Sequence, residues 1–249
     1  MHTYGELCTE VYEISKPVGF SYGDVEYYKE RLQHVSGRVL EVACGSGRVM
    51  IPLLQHGIAI EGVDNAPAML EAGRRNGRRL GVEPILHHGE MSRFSLDASY
   101  EAIIIPGGSI QLIETREELL QALQCFRTHM QEQSVLILDT FLPTDYNLDT
   151  TKTRMWETED GDAITLEEKR IEVDFINQRI LSLLRYDKWR DGSLVQSELQ
   201  RLPLCWYGVD EFRLLLESTG FTDVTVTGNY KHGSPPSEAG SMITYEASK

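Results

Sequence analysis

The sequence has little with which to cross-link itself, enter a membrane or hold a polyanion. Its four cysteines, Cys8, Cys44, Cys125 and Cys205, are scattered and form no CxxC pair. That spacing suggests neither a disulfide framework nor a zinc site, and no metal is expected. No apolar stretch approaches the ~18 residues of a membrane span, and no N-terminal apolar run resembles a signal peptide, so a reduced, cytoplasmic protein is expected. Positive charge is scarce too: 24 Lys and Arg stand against 38 Asp and Glu, a formal charge of −14. Such a surface repels phosphate backbones, and neither a nucleic-acid nor a membrane partner is expected. The one basic cluster, Arg74, Arg75, Arg78 and Arg79, falls on an expected helix and reads as a solvated face.

What is present is an ordinary globular composition, 41% hydrophobic and 25% charged, over 249 residues. That length suits one large domain or a domain with an insert. Short apolar runs alternate with helix-length amphipathic segments through the first 140 residues. Strands are expected at 38–43, 58–64, 84–89, 100–106 and 134–140, and helices near 48–56, 66–79 and 116–132. Thr115 and Glu118 form a capping box for the last helix; Asn65 can cap the second, with Pro67 in its first turn. Strands alternating with helices imply a parallel sheet wound on both faces, an α/β fold.

From about 154 to 205 the pattern changes to long strands with polar–apolar alternation, separated at Asn177-Gln178 and Asp191-Gly192. Asp-Gly is a strong hairpin signal, so an antiparallel sheet with one wet face is expected here. A helix returns at 209–219, stopped by Gly220, and two final strands close the chain. The first 36 residues carry five tyrosines, Tyr4, Tyr12, Tyr22, Tyr27 and Tyr28, and Asp24 can cap a helix running to about His34.

The chemistry is concentrated at VLEVACGSGRV, Val39 to Val49, where a strand runs through an acid into a glycine loop. A dinucleotide site wants a third glycine where Met50 stands, because the following helix must pack closely there. Glu41 weighs further against a pyrophosphate, since like charges at that range are costly. A ligand carrying an amino group is favoured there instead, and S-adenosylmethionine has one. Asp64, at the tip of the second strand, can accept hydrogen bonds from both ribose hydroxyls. Pro106-Gly107-Gly108-Ser109 leaves the fourth strand at the carboxyl edge, where open α/β sheets bind ligands.

EVACGSG at 41–47, GVD at 62–64 and GEM at 89–91 together resemble the class I S-adenosylmethionine-dependent methyltransferases. The resemblance covers about 37–140 and resumes from 206, with Ala43 where that family often has glycine and Glu90 where it often has aspartate. It implies a Rossmann-like, doubly wound, mostly parallel seven-stranded sheet with the antiparallel insert after its fifth strand. In plan the chain is similar to amino-sugar N-methyltransferases and glycine or sarcosine methyltransferases, whose insert and N-terminal segment form a lid. That likeness implies an N-terminal cap over 1–36, a core over 37–140 and 206–249, and an insert over 141–205.

The expected cofactor is S-adenosylmethionine, with S-adenosylhomocysteine as product. The residues expected to hold it are Glu41, Ala43, Cys44, Gly45, Gly47, Asp64, Asn65, Met69, Glu90, Met91 and Pro106. Tyr12, Tyr22 and Tyr28 are the tyrosines chosen to face the sulfonium, where a ring or phenolic oxygen stabilises positive charge. Ser109, Trp206 and Tyr207 are expected at the acceptor, a small molecule methylated on oxygen or nitrogen by a monomer or homodimer. His87 and His88 read as structural, and no catalytic base is identified. Two alternatives stay open: a nicotinamide-dependent oxidoreductase, and a non-catalytic protein that binds S-adenosylmethionine.

Overall fold

A computed structural model describes residues 4–148 and 150–249. Two helices come first, α1 (Glu6–Ser15) and α2 (Asp24–Leu32). Then follow β1 (Val39–Val42), α3 (Met50–Gln55), β2 (Ile60–Asp64), α4 (Pro67–Leu80), β3 (Ile85–His88) and β4 (Tyr100–Ile105). A 3-10 turn over Pro106–Leu112 leads to α5 (Arg116–His129) and β5 (Met130–Phe141). Four long strands come next: β6 (Thr151–Glu157), β7 (Ala163–Asp174), β8 (Arg179–Arg190) and β9 (Ser193–Cys205). The chain ends with α6 (Val209–Ser218), β10 (Thr222–Gly228) and β11 (Met242–Ser248).

Seven strands form one sheet in the order β10-β11-β5-β4-β1-β2-β3. Neighbours from β5 to β3 are parallel, while β11 runs antiparallel to both β5 and β10. This is the Rossmann-like, mostly parallel sheet expected from the sequence, and the antiparallel insert follows its fifth strand. The insert makes a sheet of its own, β6-β7-β8-β9. Asp191 and Gly192 both have positive φ, 49° and 75°, as a two-residue hairpin turn requires. β6 was not anticipated, because TKTRMWE offers no apolar alternation. α5 also stops earlier than expected, at His129, where β5 begins.

Side-chain alternation explains the two layers of core. Leu40, Val42, Ile103, Ile105, Leu136 and Leu138 face one side, under α5 and α6. Val39, Ala102, Ile104 and Ile137 face the other, with Val25, Tyr28 and Leu32 of α2 and Met50 and Leu53 of α3. A third cluster joins α1 to the insert: Leu7, Cys8 and Val11 pack on Ile164, Leu166, Leu184 and Tyr186. Burying a leucine or valine of this kind contributes about 1.5–3 kcal/mol, so α1 is held to the insert sheet rather than trailing from it.

Two capping expectations are corrected. α4 is preceded by Ala66 as its cap residue, and the acceptor for the Ala66 N–H is Asp64 Oδ1 at 2.8 Å, not Asn65. Gly23 caps α2 with φ +95°, and Asp24 is the first helical residue, turned inward. No described helix is long and apolar enough to cross a membrane.

Candidate functional site

The chain reverses direction across the sheet between β1 and β4, which are neighbours although β2 and β3 intervene in sequence. Open α/β sheets bind ligands beyond the carboxyl ends of their strands at such a switch. The loop after β1 is shaped for close approach. Ala43, Gly45 and Gly47 all have positive φ, 58°, 55° and 85°. Holding alanine there costs roughly 1–2 kcal/mol, a local strain at the mouth of the loop. A Cβ on Gly47 would sit 2.7 Å from Ile51, so only glycine fits. Cys44 turns its side chain into the core, where its Sγ would lie 2.6 Å from a Cβ at Gly62. It offers the cleft backbone only.

Asp64, 8% exposed, closes this loop from below. Its Oδ2 accepts the Gly45 N–H at 2.8 Å while Oδ1 accepts the Ala66 N–H. Burial raises its carboxyl above the usual range, opposed by those hydrogen bonds. The Asn65 N–H is a third backbone donor to this carboxylate, which with about four acceptor sites still has capacity for a ligand hydroxyl. Beside it opens a cavity of about 130 Å³ lined by Val42, Ala43, Val63, Asp64 and Asn65, by Gly89 to Ser92 after β3, and by Leu112, Ile113, Glu114 and Glu118. Tyr4 also lines the cavity. The structure thus brings together Ala43, Asp64, Asn65, Glu90 and Met91 of the expected residues. Glu90 pairs with Arg93 across one helical turn of the loop.

Glu41 stands one strand position before Val42 on the opposite face, 3% exposed. Its Oε2 is buried with no hydrogen-bond partner among the described residues. Desolvation holds its pKa well above the ordinary carboxyl value; Arg48 opposes the shift, while Asp24 and Asp64 add to it. Such a carboxylate is costly unless a cation arrives. The Arg48 guanidinium is already committed: Nη2 meets Asp24 Oδ2 at 2.5 Å, and Nη1 reaches Asp24 Oδ1 and the Phe20 carbonyl. Both side chains are buried, 8% and 0% exposed. Tyr12 of α1 lies against Arg48.

The other expected residues are distributed around this centre. Met69 is buried with its Sδ 3.7 Å from where a Gly45 Cβ would be, supporting the loop from beneath. Tyr22 is 59% exposed, edge-on to Phe20 at 5.0 Å. Tyr28 is fully buried beneath α2 and faces Asp139, away from the cleft surface. Pro106 is buried and starts the turn after β4; Ser109 Oγ donates to the Pro106 carbonyl at 3.0 Å. The turn is held by Asp139, whose carboxylate accepts the Gly107 N–H at 2.8 Å, Thr244 Oγ1 at 2.7 Å and the Tyr230 hydroxyl at 2.9 Å. Burial raises this carboxyl to about 6.

Trp206 and Tyr207 part company. Trp206 joins Tyr146 and Phe175 in a trio of rings with centroids 5.3–6.0 Å apart. Tyr207 instead enters the main core against Phe212, with the Arg116 guanidinium 4.0 Å over its ring. It therefore does not line the cavity. Sequence reasoning also missed Tyr4, Ser92, Ile113, Glu114 and the Asp24–Arg48 pair. Ser92 follows GEM directly and could have been included; the others carry no local signal.

Residues 39–133 match a family model described as a methyltransferase domain. A dTDP-3-amino-3,6-dideoxy-alpha-D-glucopyranose N,N-dimethyltransferase from Streptomyces fradiae is 31% identical over 101 residues, 41% of this chain and 38% of that protein. The chain thus spans well under two thirds of the length of the first curated relatives it matches. Two solved structures share the whole fold. An S-adenosylmethionine-dependent methyltransferase from Clostridium acetobutylicum has a TM-score of 0.75 at 16% identity, covering 96% of both chains. A sugar N-methyltransferase from Streptoalloteichus has a TM-score of 0.75 at 19% identity, covering 100% of this chain and 96% of that one. Residues 39–133 thus match a methyltransferase domain, and the chain shares its overall fold with these solved structures.

Proposed function

We propose that this protein transfers a methyl group from S-adenosylmethionine to an oxygen or nitrogen of a small-molecule acceptor. The observation that carries the reading is Glu41 Oε2, a buried acceptor with no hydrogen-bond partner among the described residues. It suits an ammonium group and repels a phosphate. In this reading Asp64 receives the ribose, and Glu90, Met91 and Ile113 border the base. Ala43, Gly45 and Gly47 let the backbone approach the cofactor, and the segment from Tyr4 through Tyr12 of α1 lies across it. Residues 1–36 then act as cap and 141–205 as insert, with Ser109 and Trp206 toward the acceptor.

S-adenosylmethionine supplies a methyl group on a sulfonium, a good leaving group. The protein's part is chiefly positional: holding an acceptor atom about 3 Å from that carbon, in line, supplies most of the acceleration. The post-β4 turn, fixed by Asp139, gives that acceptor a rigid floor. A proton must leave an attacking amine or hydroxyl, and a base contributes where the atom is protonated at neutral pH. Calorimetry tests the reading: S-adenosylmethionine and S-adenosylhomocysteine are expected to bind at one site, with no measurable heat from NAD or NADP. Tight dinucleotide binding would reverse the argument from Glu41.

A further inference from the structure

The loop joining β10 to β11 carries backbone strain that cofactor binding by Glu41 and Asp64 leaves unused. Asn229 and Tyr230 are consecutive, and both have left-handed φ, 52° and 55°. Such backbone is unfavourable outside glycine and persists where surrounding contacts hold it, so what Tyr230 touches is informative. The loop is pinned by its own backbone: the Gly228 N–H donates to the Ser234 carbonyl and the Asn229 N–H to the Met242 carbonyl, each at 2.8 Å. The strain therefore aims one side chain.

That side chain touches two parts of the molecule at once. Its ring centroid lies 5.6 Å from that of Tyr27 on α2. Its Cδ2 lies 3.7 Å from where a Cβ on Gly23, the residue that caps α2, would be. Its hydroxyl donates to Asp139 Oδ2 at 2.9 Å, and the same oxygen accepts the Gly107 N–H at 2.8 Å. One carboxylate oxygen thus joins a ring packed on the cap helix to the first glycine of the turn after β4. The other, Oδ1, accepts from Thr244 Oγ1 at 2.7 Å, which fastens the carboxylate to β11. Asp139 is fully buried, where an acceptor that loses its donor finds no water to replace it.

Resting on the reading above for what the turn serves, we propose that Tyr230 and Asp139 are positioning residues that tie the turn after β4 to the seating of cap helix α2. Transfer needs the acceptor held in line, and the floor beneath it keeps that shape only while α2 rests on Tyr230. A cap that lifts releases Tyr230 and, through Oδ2, the turn.

Amide hydrogen exchange of the full, ligand-free chain tests this. Arg31→Met removes the Arg31 hydrogen bonds to Glu246 and loosens α2 without touching Tyr230 or Asp139. Exchange in α2 and at the Gly107 amide should both rise by about fivefold or more. In a Tyr230→Phe background the same substitution should speed α2 alone. In a Thr244→Val background, which also costs Asp139 one hydrogen bond but on the β11 side, Gly107 should still follow α2. A merely structural loosening would treat those two backgrounds alike, and that result overturns the proposal. If Arg31→Met does not fold, Tyr27→Phe, which removes only a hydroxyl bonded to Glu246 at 2.5 Å, takes its place. A Gly107 amide indifferent to α2 overturns the proposal as well. So does one that follows α2 in Tyr230→Phe, which would move the link to Arg48, whose Nη2 lies 3.8 Å from where a Gly107 Cβ would be. No step uses the cofactor, so these failures leave the reading of Glu41 intact. Absence of S-adenosylhomocysteine binding to the unaltered protein would instead overturn that reading, and with it the turn's role as acceptor floor, whatever the exchange rates.

Discussion

Glu41→Gln should weaken S-adenosylhomocysteine binding by about 2–4 kcal/mol, roughly thirty- to a thousandfold, while making the ligand-free protein more stable. The two effects share one cause. The carboxylate is buried, its Oε2 has no hydrogen-bond partner among the described residues, and desolvation raises its pKa. An acid with a raised folded-state pKa contributes stability that is fully present below its unfolded value and lost as pH rises through the folded one. At neutral pH Glu41 therefore burdens the empty protein. Glutamine keeps the shape and removes the charge, so thermal melts above the unfolded carboxyl pKa should move upward. An arriving ammonium reverses the balance by stabilising the ionised form. Binding to the unaltered protein should accordingly release protons, detected as a dependence of the calorimetric heat on buffer ionisation enthalpy, and affinity should rise with pH. Glutamine should abolish both. A variant that binds as tightly as the parent would remove Glu41 from the site.

The second large effect is expected at the Arg48–Asp24 pair. Arg48→Met leaves Asp24 buried without its ion-pair partner, which costs about 3–5 kcal/mol. For a chain of this length each kcal/mol moves the melting point by roughly 2–4 °C. Replacing both, as Asp24→Leu with Arg48→Met, should recover most of the loss, because two apolar side chains need no partner. The acid limb gives the sign. Burial raises the Asp24 carboxyl, but the Arg48 hydrogen bond and charge outweigh it, so its pKa is lowered overall. Its stabilisation is present above the unfolded pKa and is lost as pH falls through the folded one. The deficit of Arg48→Met should therefore narrow toward low pH, where Asp24 is neutral in both proteins. Denaturant melts across that range would show it; a deficit constant in pH would mean that packing, not charge, makes the contact.

What could be read from the sequence depended on whether the physics was local. The glycine loop, Asp64 and the residues after β3 declared themselves because strand, turn and helix signals lie within a few residues of one another. The hairpin at Asp191-Gly192 was legible for the same reason: two left-handed residues need those residue types. The Asp24–Arg48 pair was not, since nothing links two residues 24 positions apart until a fold brings them together. Asp24 has the composition of a helix cap, and its inward turn shows only in three dimensions. Asn65 failed in the same manner, as the neighbouring Asp64 took the acceptor role. Trp206 and Tyr207 were treated as one wall, yet consecutive residues at the end of an extended strand point to opposite faces. One faces the insert's aromatic trio and the other the core. β6 escaped because an exposed edge strand needs little apolar alternation.

The account turns on a cation meeting Glu41. A crystal structure of the protein with S-adenosylhomocysteine measures this directly. The prediction is an amino nitrogen within hydrogen-bond distance of Glu41, the ribose hydroxyls on Asp64 and the base in the cavity between Met91 and Ile113. A complex in which Glu41 keeps an unpartnered oxygen, with the amino group bound elsewhere, would contradict it.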